Sequence, residues 1–462
     1  MAELRLDQMA EMTGGTILQG PPERVFRDFN IDSRRTTAGE LFFAIVARRD
    51  GHEFVAGAAE RGAAGAVVSR SVPTVGGDFA LLQVPDTLGA LQLLAKKILE
   101  DRSLKVVGIT GSVGKTTTKE FTAAILSRKF QVLKSEGNFN NHLGLALTLL
   151  RLEPRHDAAV LEMGMSAPGE IRTLAEIAPP DVAVITNVSP VHLEFLKTME
   201  AIAAAKKEIL EGMRTDGIAV LNGDDPFVEQ IAQARNGRKI FFGLSRGCDI
   251  RVESLQRLGY DGFKFDLVLD GDRRRIRFPF LSETYIYDLL AAVGVGRALS
   301  LSLDEIEQGI RDLKPCPKRG LLLRLAKKIV VVDDSYNSNP RALEAALRNY
   351  AALPARRRVA VLGDMLELGQ AAAKFHEDAG LQAARSGWDL LVTVGPLSRH
   401  MAKGARLAGM GMDKLHSFAA SEDAAAQVPA LLREGDLVLV KGSRGIRTET
   451  IVEALKETFK ET

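Results

Sequence analysis

The sequence predicts an α/β protein with three domains, and two observations lead to that prediction. At 462 residues the chain is too long for one hydrophobic core. Short apolar strands alternate with segments of helical periodicity, which is typical of parallel sheets joined by right-handed crossovers. We expect a smaller N-terminal α/β domain (1–97), a central phosphate-loop domain with a mostly parallel sheet (98–314) and a C-terminal Rossmann-like domain (315–462).

The central domain is organised around residues 106–118, VVGITGSVGKTTT. An apolar run leads into glycines, and Lys115 and Thr116 precede apolar residues at helical spacing. Strand, glycine loop and helix are typical of phosphate binding, because glycine lets backbone N–H groups approach an anion closely. Lys115 would reach the outer phosphates and Thr116 would ligate magnesium. Ile109 replaces the first glycine of the general pattern, so a plain strand–turn–helix is the alternative.

Composition indicates an ordinary soluble enzyme. Hydrophobic residues make up 46% and charged residues 26%, and the net charge of +2 gives no electrostatic case for a nucleic-acid partner. The arginine runs 273–275 and 356–358 are expected on solvated faces or in turns. Two distant cysteines fit a reducing compartment, and we find neither a signal core nor a stretch of roughly 20 apolar residues. We therefore expect a cytoplasmic monomer without a membrane segment.

The first domain contains two polar clusters beside turn signals, Asp32–Arg35 and Arg49–His52. Its predicted strands are 41–46, 66–68 and 80–84, and its predicted helices are 55–63 and 88–99. Polar groups at such turns can converge on a ligand, or they can cap the turns while the arginines are solvated. Spacing alone leaves both interpretations open.

Polar residues also follow the strands predicted in the central domain, 158–161, 182–186 and 218–221. The carboxyl ends of parallel strands meet at one edge of a sheet, so Glu162 and His192 should fall near the phosphate loop. Glu162 would either cap a loop or hold magnesium on a nucleotide. His192 would be either a structural hydrogen-bonding residue or a metal ligand.

The helix after His192 contains Lys206 and Lys207, and paired lysines usually form a solvated face. A lysine with a lowered pKa offers another possibility, since its neutral amine can react with carbon dioxide. The resulting carbamate is an anion that could bind a second magnesium. The sequence alone does not decide between the two.

The last domain repeats the pattern of strand, loop and helix. Its predicted strands are 329–332, 359–362, 391–394 and 437–440. Asn339 and Pro340 are typical of a helix start, with asparagine as the cap and proline in the first turn. The loops 333–337, 363–365 and 441–444 carry the polar residues.

Several motifs together resemble the Mur ligases, the ATP-dependent amide ligases of peptidoglycan precursor synthesis. They are the phosphate loop from Gly108, GNFNN at 137–141, EMG at 162–164, NVxxxHLE at 187–194 and AKxEI at 205–209. The resemblance covers about residues 30–450, and the loop of that family has the same form as this one. It implies work in cell-wall biogenesis, and through it in cell shape and division.

Segment 332–340, VDDSYNSNP, resembles the family members that add D-alanyl-D-alanine. The Asp-Asn-Pro-Arg signature of members that add diaminopimelate or lysine is not found. The implied reaction joins D-alanyl-D-alanine to the tripeptide carboxylate of UDP-N-acetylmuramoyl-tripeptide through an acyl phosphate. The alternatives are a related ligase with another acceptor, including a folylpolyglutamate-type enzyme, and a nucleotide-binding homologue without turnover.

The resemblance also implies roles for residues that match the family's motifs. Nucleotide contacts are expected from Gly111, Ser112, Val113, Gly114, Lys115, Thr116, Thr117, Asp288, Arg319 at the γ-phosphate and Asp334 at the ribose. Substrate contacts are expected from Ser33, Arg34, Asp50 and His52 for the UDP moiety, from Asn138 and Asn141, and from Asn337 and Asn339 beside the dipeptide. Two magnesium ions are expected, one on Thr116 and Glu162 and one on His192 and carbamylated Lys206. The expected catalytic residues are Lys115, Lys206, His192 and Arg319.

This chain departs from the family pattern at three places. TYIYD at 284–288 replaces a His-Asn-x-x-Asn segment, so that Asp288 stands where an asparagine normally contacts the nucleotide. An aspartate cannot donate through an amide, so we expect the nucleotide contacts to differ. Ala47-Arg48-Arg49 replaces a stretch containing glycine, and the usual methionine before Glu449 is missing.

Overall fold

The computed structural model describes residues 3–73, 75–191 and 193–461, and it confirms the mixed α/β class with mostly parallel sheets. The chain groups into two compact units. The first comprises the chain up to residue 110 with 126–184 and 207–219, and the second comprises 111–125, 185–206 and the chain from 220 onward. Within the described ranges, no helix has both the length and the apolar character needed to span a bilayer.

The N-terminal part forms a five-stranded sheet and a short two-stranded one. Its strands are β1 (Leu4–Arg5), β2 (Thr16–Gln19), β3 (Val25–Phe26), β4 (Phe29–Asn30), β5 (Leu41–Phe43), β6 (Gly65–Val68) and β7 (Ala80–Gln83). Its helices are α1 (Leu6–Thr13), α2 (Val55–Glu60) and α3 (Thr87–Glu100). The larger sheet has the order β2-β7-β6-β5-β4, with β4 to β7 parallel, and β1 pairs with β3. Its core includes Phe42, Val55 and Val68.

The central part contributes a nine-stranded sheet. Its strands are β8 (Lys105–Thr110), β9 (Val132–Lys134), β10 (Ala158–Glu162), β11 (Val182–Ile185), β12 (Ile218–Asn222), β13 (Lys239–Gly243), β14 (Ile250–Arg257), β15 (Phe263–Leu269) and β16 (Asp272–Phe278). Its helices are α4 (Lys115–Leu126), α5 (His142–Leu149), α6 (Glu170–Ile177), α7 (Leu193–Leu196), α8 (Met199–Glu211), α9 (Pro226–Gln233), α10 (Thr284–Ala298) and α11 (Leu303–Arg311). The strand order is β16-β15-β14-β13-β12-β11-β8-β10-β9, and β14 to β16 form antiparallel pairs at one edge.

The C-terminal part forms a six-stranded sheet of order β17-β18-β22-β19-β20-β21, parallel except for β17. Its strands are β17 (Leu321–Leu325), β18 (Ile329–Asp334), β19 (Arg357–Gly363), β20 (Leu390–Val394), β21 (Leu415–Phe418) and β22 (Asp436–Lys441). Its helices are α12 (Pro340–Ala351), α13 (Ala372–Arg385), α14 (Arg399–Leu407), α15 (Ser421–Leu431) and α16 (Glu449–Phe459).

The C-terminal sheet is buried on both faces, which explains why its strands read as continuous apolar runs. Ala360 and Leu362 of β19 pack into one core with α12 and α13. Val359 and Val361, which point to the opposite face, pack into a second core with α15 and α16. Each fully buried valine or leucine contributes about 1.5–3 kcal/mol, so the two cores fix the loops at the strand ends.

The structure agrees with most of the predicted elements and adjusts their ends. Asn339 is the N-cap of α12, and its Oδ1 accepts from the N–H of Ala342 at 2.9 Å. Glu162 is itself the last residue of β10, and β18 extends to Asp334. Each of the three larger sheets falls inside one of the predicted domains, whose boundaries remain a prediction.

The two arginine runs form ion pairs, and Arg273 and Arg275 lie on an exposed strand face, as expected. Residues 273–275 lie in β16, where they form ion pairs with acidic side chains. Arg357 begins β19 and forms a two-pronged ion pair with the fully buried carboxylate of Asp436, with N–O distances of 3.0 and 2.6 Å. Both runs therefore contribute ion pairs within the protein.

Candidate active site

The glycine loop between β8 and α4 has a shape that only glycine can adopt. Gly111 has φ 147° and Gly114 has φ 90°, both in the region that disfavours side chains. A Cβ on Gly111 would overlap the Thr186 side chain, and a Cβ on Gly114 would overlap the carboxyl group of Asp288. The loop backbone is therefore in close contact with its surroundings.

The segment after β11 holds the loop in this shape. The N–H of Val113 donates to Asn187 Oδ1 at 3.1 Å, and Asn187 Nδ2 donates back to the Val113 carbonyl at 2.8 Å. Ser112 Oγ donates to the Ser189 carbonyl at 3.0 Å. Because these bonds come from side chains and backbone of one segment, the loop is organised before any ligand binds.

Lys115 lies within the loop that it would serve. Its Nζ donates to the carbonyls of Gly111 at 2.8 Å and Ser112 at 3.4 Å. Lys115 is also the first residue of α4, so its charge is added to the positive end of a helix. An anion at this point would meet an ammonium group and backbone N–H groups together.

A second cation reaches the same helix start from far along the chain. Arg319 Nη2 donates to Thr116 Oγ1 at 3.1 Å. The guanidinium of Arg319 stacks 4.0 Å from the centre of the Tyr336 ring, and Arg444 lies 5.1 Å from that ring. Tyr285 fixes the backbone of Arg319 through a hydrogen bond of 2.7 Å to its carbonyl.

Asp288 is buried beside the loop. Its Oδ1 accepts from Thr118 Oγ1 at 3.3 Å. Burial raises the pKa of Asp288 to about 8, although the Thr118 hydrogen bond and the Arg319 charge act in the opposite direction. This raised pKa favours the neutral acid near pH 7, whose hydroxyl group can donate a hydrogen bond although the side chain has no amide.

Glu162 occupies the end of a buried strand. β10 pairs with β8 in parallel register, which sets Glu162 opposite Ile109, near the end of the strand that leads into the glycine loop. Asn140 Nδ2 donates to Glu162 Oε1 at 2.9 Å and orients a carboxylate that is almost fully buried. A charged oxygen ligand held in this way suits a hard cation.

Lys206 is a buried lysine on α8. Burial, with a smaller contribution from the charge of Lys115, holds the pKa of Lys206 well below its usual value. His192, the other residue expected at this metal site, lies outside the described residues. Across the described ranges, no group of three or more His, Cys, Asp or Glu side chains could hold a metal ion.

In the C-terminal sheet, Asp334 ends β18 opposite Lys441, the last residue of β22. The buried Nζ of Lys441 donates to Asp334 Oδ2 at 2.7 Å and to the Asn337 carbonyl at 3.0 Å. The lysine thus ties together the loop that carries both residues. Asp334 keeps a partly exposed carboxylate that can accept from a hydroxyl group.

In the N-terminal part, His52 lies in the short 3-10 turn Gly51–Phe54, where it is held by protein partners. Its Nδ1 lies 2.6 Å from Asp50 Oδ1, and its Nε2 accepts from the N–H of Ser69 at 2.8 Å. The side chain is almost fully buried, so both ring nitrogens have protein partners. Hydrogen bonds from the backbone and ring of His52, and a smaller contribution from Arg70 at 2.7 Å, hold the pKa of Asp50 below its usual range.

Known proteins share both the sequence and the architecture of this chain. Residues 109–296 match the Mur ligase middle domain, and residues 319–444 match the Mur ligase glutamate ligase domain. The UDP-N-acetylmuramoyl-tripeptide–D-alanyl-D-alanine ligase of Bacillus subtilis is 34% identical over 461 residues, with 99% of each chain covered. The chain belongs to the Mur ligase family. Mur ligases are ATP-dependent, ADP-forming ligases, and so is this enzyme.

Other relatives of this Mur ligase agree in sequence and structure. The Escherichia coli enzyme with the same name as the Bacillus protein is 33% identical, with 99% of each chain covered. A crystal structure of MurF from Acinetobacter baumannii matches with a TM-score of 0.90, 31% identity and 99% coverage of both chains. MurF from Thermotoga maritima in complex with ADP matches with a TM-score of 0.82 and 31% identity, covering 93% of this chain and 97% of that one.

The structure of this Mur ligase gathers some of the expected site residues and assigns others to local roles. Lys115, Thr116, Arg319 and Asp288 belong to one connected set around the start of α4. The remaining loop residues expected at the nucleotide, Ser112, Val113 and Thr117, lie in that loop and the first turn of α4.

Several expected substrate residues form hydrogen bonds within their own loops. Asn141 caps α5 by accepting from the N–H of Gly144 at 2.9 Å, just as Asn339 caps α12. Arg34 forms a bidentate ion pair with Asp32, with both N–O distances 2.9 Å, next to the half-buried Ser33. Two further candidates are exposed, Asn138 and Asn337.

Sequence reasoning missed four residues that organise this Mur ligase site. Asn140 orients Glu162, Asn187 braces the loop, Tyr336 stacks on Arg319 and Lys441 binds Asp334. Each of these residues lies in a segment whose motif was recognised, so the motif could have pointed to it. Their roles depend on contacts between distant segments, which spacing does not reveal.

Proposed function

We propose that this chain joins D-alanyl-D-alanine to the tripeptide carboxylate of UDP-N-acetylmuramoyl-tripeptide, at the expense of ATP, in peptidoglycan precursor synthesis. The observation that carries the chemistry is the convergence of Lys115 and Arg319 on the start of α4. The acceptor is inferred from segment 332–340 and from relatives named for this reaction over 99% of their length. We further propose that the enzyme acts as a cytoplasmic monomer, and its two free cysteines suit a reducing compartment.

In the proposed reaction, the tripeptide carboxylate attacks the γ-phosphorus of ATP, and ADP leaves. The amine of D-alanyl-D-alanine then attacks the acyl phosphate, and the tetrahedral intermediate collapses to an amide and inorganic phosphate. Charge develops on the transferring phosphoryl oxygens, where positioned cations contribute most. Lys115 supplies one such cation, and Arg319, held by Thr116 and Tyr336, supplies a second.

Magnesium would be held by few protein side chains. Thr116 and Glu162 are the proposed ligands of one ion, and the orientation of Glu162 by Asn140 fits this role. His192 and a carbamate on Lys206 are the proposed ligands of a second. Magnesium on a nucleotide takes one or two carboxylates and completes its shell with phosphate oxygens and water. When bound, it would neutralise charge on the β- and γ-phosphates.

The carbamate follows from the burial of Lys206. Its lowered pKa favours the neutral amine, whose lone pair can attack the carbon of CO₂. The nitrogen–carbon bond forms, a proton leaves to solvent, and the side chain becomes an anion. A negative charge at this point would compensate the charge of Lys115, which disfavours protonated Lys206.

We assign the UDP moiety of the substrate to the N-terminal part of the chain, and the ribose of ATP and the dipeptide to the C-terminal part. The Asp32–Arg34 pair with Ser33, and the exposed part of the turn built on Asp50, are the proposed UDP-binding elements. His52 supports that turn from inside the protein rather than contacting the ligand directly. The loop from Asp334 to Asn339 is proposed to hold the ribose and the dipeptide.

The function is tested by release of inorganic phosphate from ATP and UDP-N-acetylmuramoyl-tripeptide with different amino acceptors. We expect release only with D-alanyl-D-alanine, and none in Lys115→Ala. Diaminopimelate, lysine and glutamate serve as rival acceptors. Release that depends on one of these would assign a different Mur-type ligase, and ATP binding without release under any condition would indicate a homologue without turnover.

A further inference from the structure

A buried carboxyl group lies directly against the phosphate loop. Asp288 belongs to the second turn of α10, and its side chain is almost excluded from solvent. Its Oδ1 accepts from Thr118 Oγ1 at 3.3 Å. A Cβ built on Gly114 would overlap this carboxyl group, so Asp288 touches the loop backbone itself.

The surroundings of Asp288 contain one strong charge. Its electrostatic neighbours are Thr118 from α4, Arg319 and Cys316 from the segment before β17, and Tyr285 from its own helix. Burial raises the pKa of both Cys316 and Tyr285, so both are neutral near pH 7. Burial outweighs the Arg319 charge and the Thr118 hydrogen bond at Asp288, whose pKa rises to about 8.

The hydrogen-bond pattern also locates the acid proton. Oδ1 accepts from Thr118 and is the oxygen nearer to the Cβ position of Gly114, from which Oδ2 lies 3.5 Å away, so Oδ2 is the oxygen left to carry the acid proton. A protonated carboxyl group is a donor there, as an amide would be. An ionised carboxylate would instead present a negative charge to an anionic nucleotide tail.

We propose that Asp288 binds the nucleotide as a neutral carboxylic acid that donates its Oδ2 proton, so that ATP binding is coupled to protonation of this side chain. The proposal rests on the proposed function only for the identity of the ligand as ATP. Ionisation of Asp288 weakens ATP binding, and bound ATP strengthens proton binding at Asp288 by the same factor, as linkage requires.

The experiment is calorimetric titration of the full-length enzyme with ATP and magnesium between about pH 6.5 and 9.5. If the ionised form does not bind, the apparent Kd of the wild type rises about tenfold between pH 7 and pH 9. In Asp288→Asn, whose amide keeps a donor at every pH, the curve becomes flat above pH 7. Asp413→Asn removes an exposed carboxylate far along the chain and keeps the wild-type pH dependence.

A second measurement does not depend on a variant that folds well. At about pH 8.5, titrations in buffers of different ionisation enthalpy measure proton uptake, and we expect roughly one half to one proton per ATP in the wild type. Equal pH curves for the wild type and Asp288→Asn would overturn the proposal. Absence of proton uptake by the wild type at this pH would overturn it as well.

This test is separable from that of the proposed function. Coupled proton uptake in a protein without dipeptide-dependent phosphate release would support the role of Asp288 and contradict the ligase assignment. Dipeptide-dependent release with a flat wild-type binding curve would support the ligase and overturn the role of Asp288.

Discussion

Arg319 donates a hydrogen bond of 3.1 Å to the Oγ1 of Thr116, a residue 203 positions earlier in the chain. Thr116 lies in the first turn of α4, next to Lys115, and Arg319 lies just before β17. The contact joins the helix start that would receive the phosphates to the segment that leads into the last sheet. A cation placed in this way would stabilise charge during phosphoryl transfer rather than in the ground state.

We expect Arg319→Lys to lower kcat by about a thousandfold while changing the Kd for ATP little. Lysine keeps the charge but loses the planar group that stacks on Tyr336 and bonds to Thr116 together. Single-turnover kinetics and equilibrium binding measure the two effects separately. Arg311→Lys, at an exposed ion pair of α11, is the matched control and should match the wild type. An equal loss of kcat and affinity would contradict the assignment.

Tyr336 is expected to act through the two guanidinium groups on its ring. Tyr336→Leu removes the cation–π contacts of Arg319 and Arg444, each of about 0.5–1 kcal/mol at a partly exposed site, and should lower kcat about tenfold. Tyr336→Phe keeps the ring and should retain most of the activity. Steady-state kinetics of the pair of variants would test this, and equal losses in both would assign the effect to the hydroxyl group instead.

The carbamate on Lys206 predicts a requirement for carbon dioxide. Lys206→Ala should be nearly inactive and partly rescued by a short carboxylic acid, which would replace the missing anion. Wild-type enzyme depleted of CO₂ should lose activity and regain it with bicarbonate, most slowly at low pH, where the amine is protonated. Lys207→Ala, on the more exposed part of the same helix, is the control. Full activity in unrescued Lys206→Ala would remove the carbamate from the mechanism.

The raised pKa of Asp288 also predicts how the stability of the folded protein depends on pH. Its pKa of about 8 in the folded protein lies above the unfolded value near 3.9. Between these two pH values, Asp288 binds a proton in the folded state but not in the unfolded state. Stability contributed by this group is present below the unfolded pKa and is lost as pH rises toward 8, by up to about 1.4 kcal/mol per pH unit. Asp288→Asn should therefore gain stability relative to the wild type as pH rises from about 5 to 8, as measured in thermal and urea unfolding. A constant difference would contradict the raised pKa.

Sequence reasoning succeeded where structure follows from local chemistry. The loop and helix at Lys115, the cap at Asn339 and the alternating strands and helices depend on residues close together in the chain. Such features follow from glycine geometry, capping and hydrophobic periodicity, which one sequence contains. The antiparallel strands β14 to β16 were not predicted, because their half-exposed faces give a weaker apolar signal.

The same reasoning could not supply properties that depend on burial. Asp288 was expected to change the nucleotide contacts because it lacks an amide, but its burial against Gly114 and Thr118, which raises its pKa to about 8, is not visible in the sequence. His52 was expected at the ligand, yet Asp50 and Ser69 occupy both of its ring nitrogens inside the protein. In each case a residue far along the chain, or the exclusion of water, decides the chemistry.

The central claim is that Lys115 and Arg319 activate a substrate carboxylate as an acyl phosphate. The most direct test uses UDP-N-acetylmuramoyl-tripeptide labelled with ¹⁸O in its terminal carboxylate, with mass analysis of the phosphate released. The account predicts one labelled oxygen per phosphate, release only with D-alanyl-D-alanine present, and neither phosphate nor amide from Lys115→Ala. Unlabelled phosphate, or amide formation undiminished in Lys115→Ala, would contradict it.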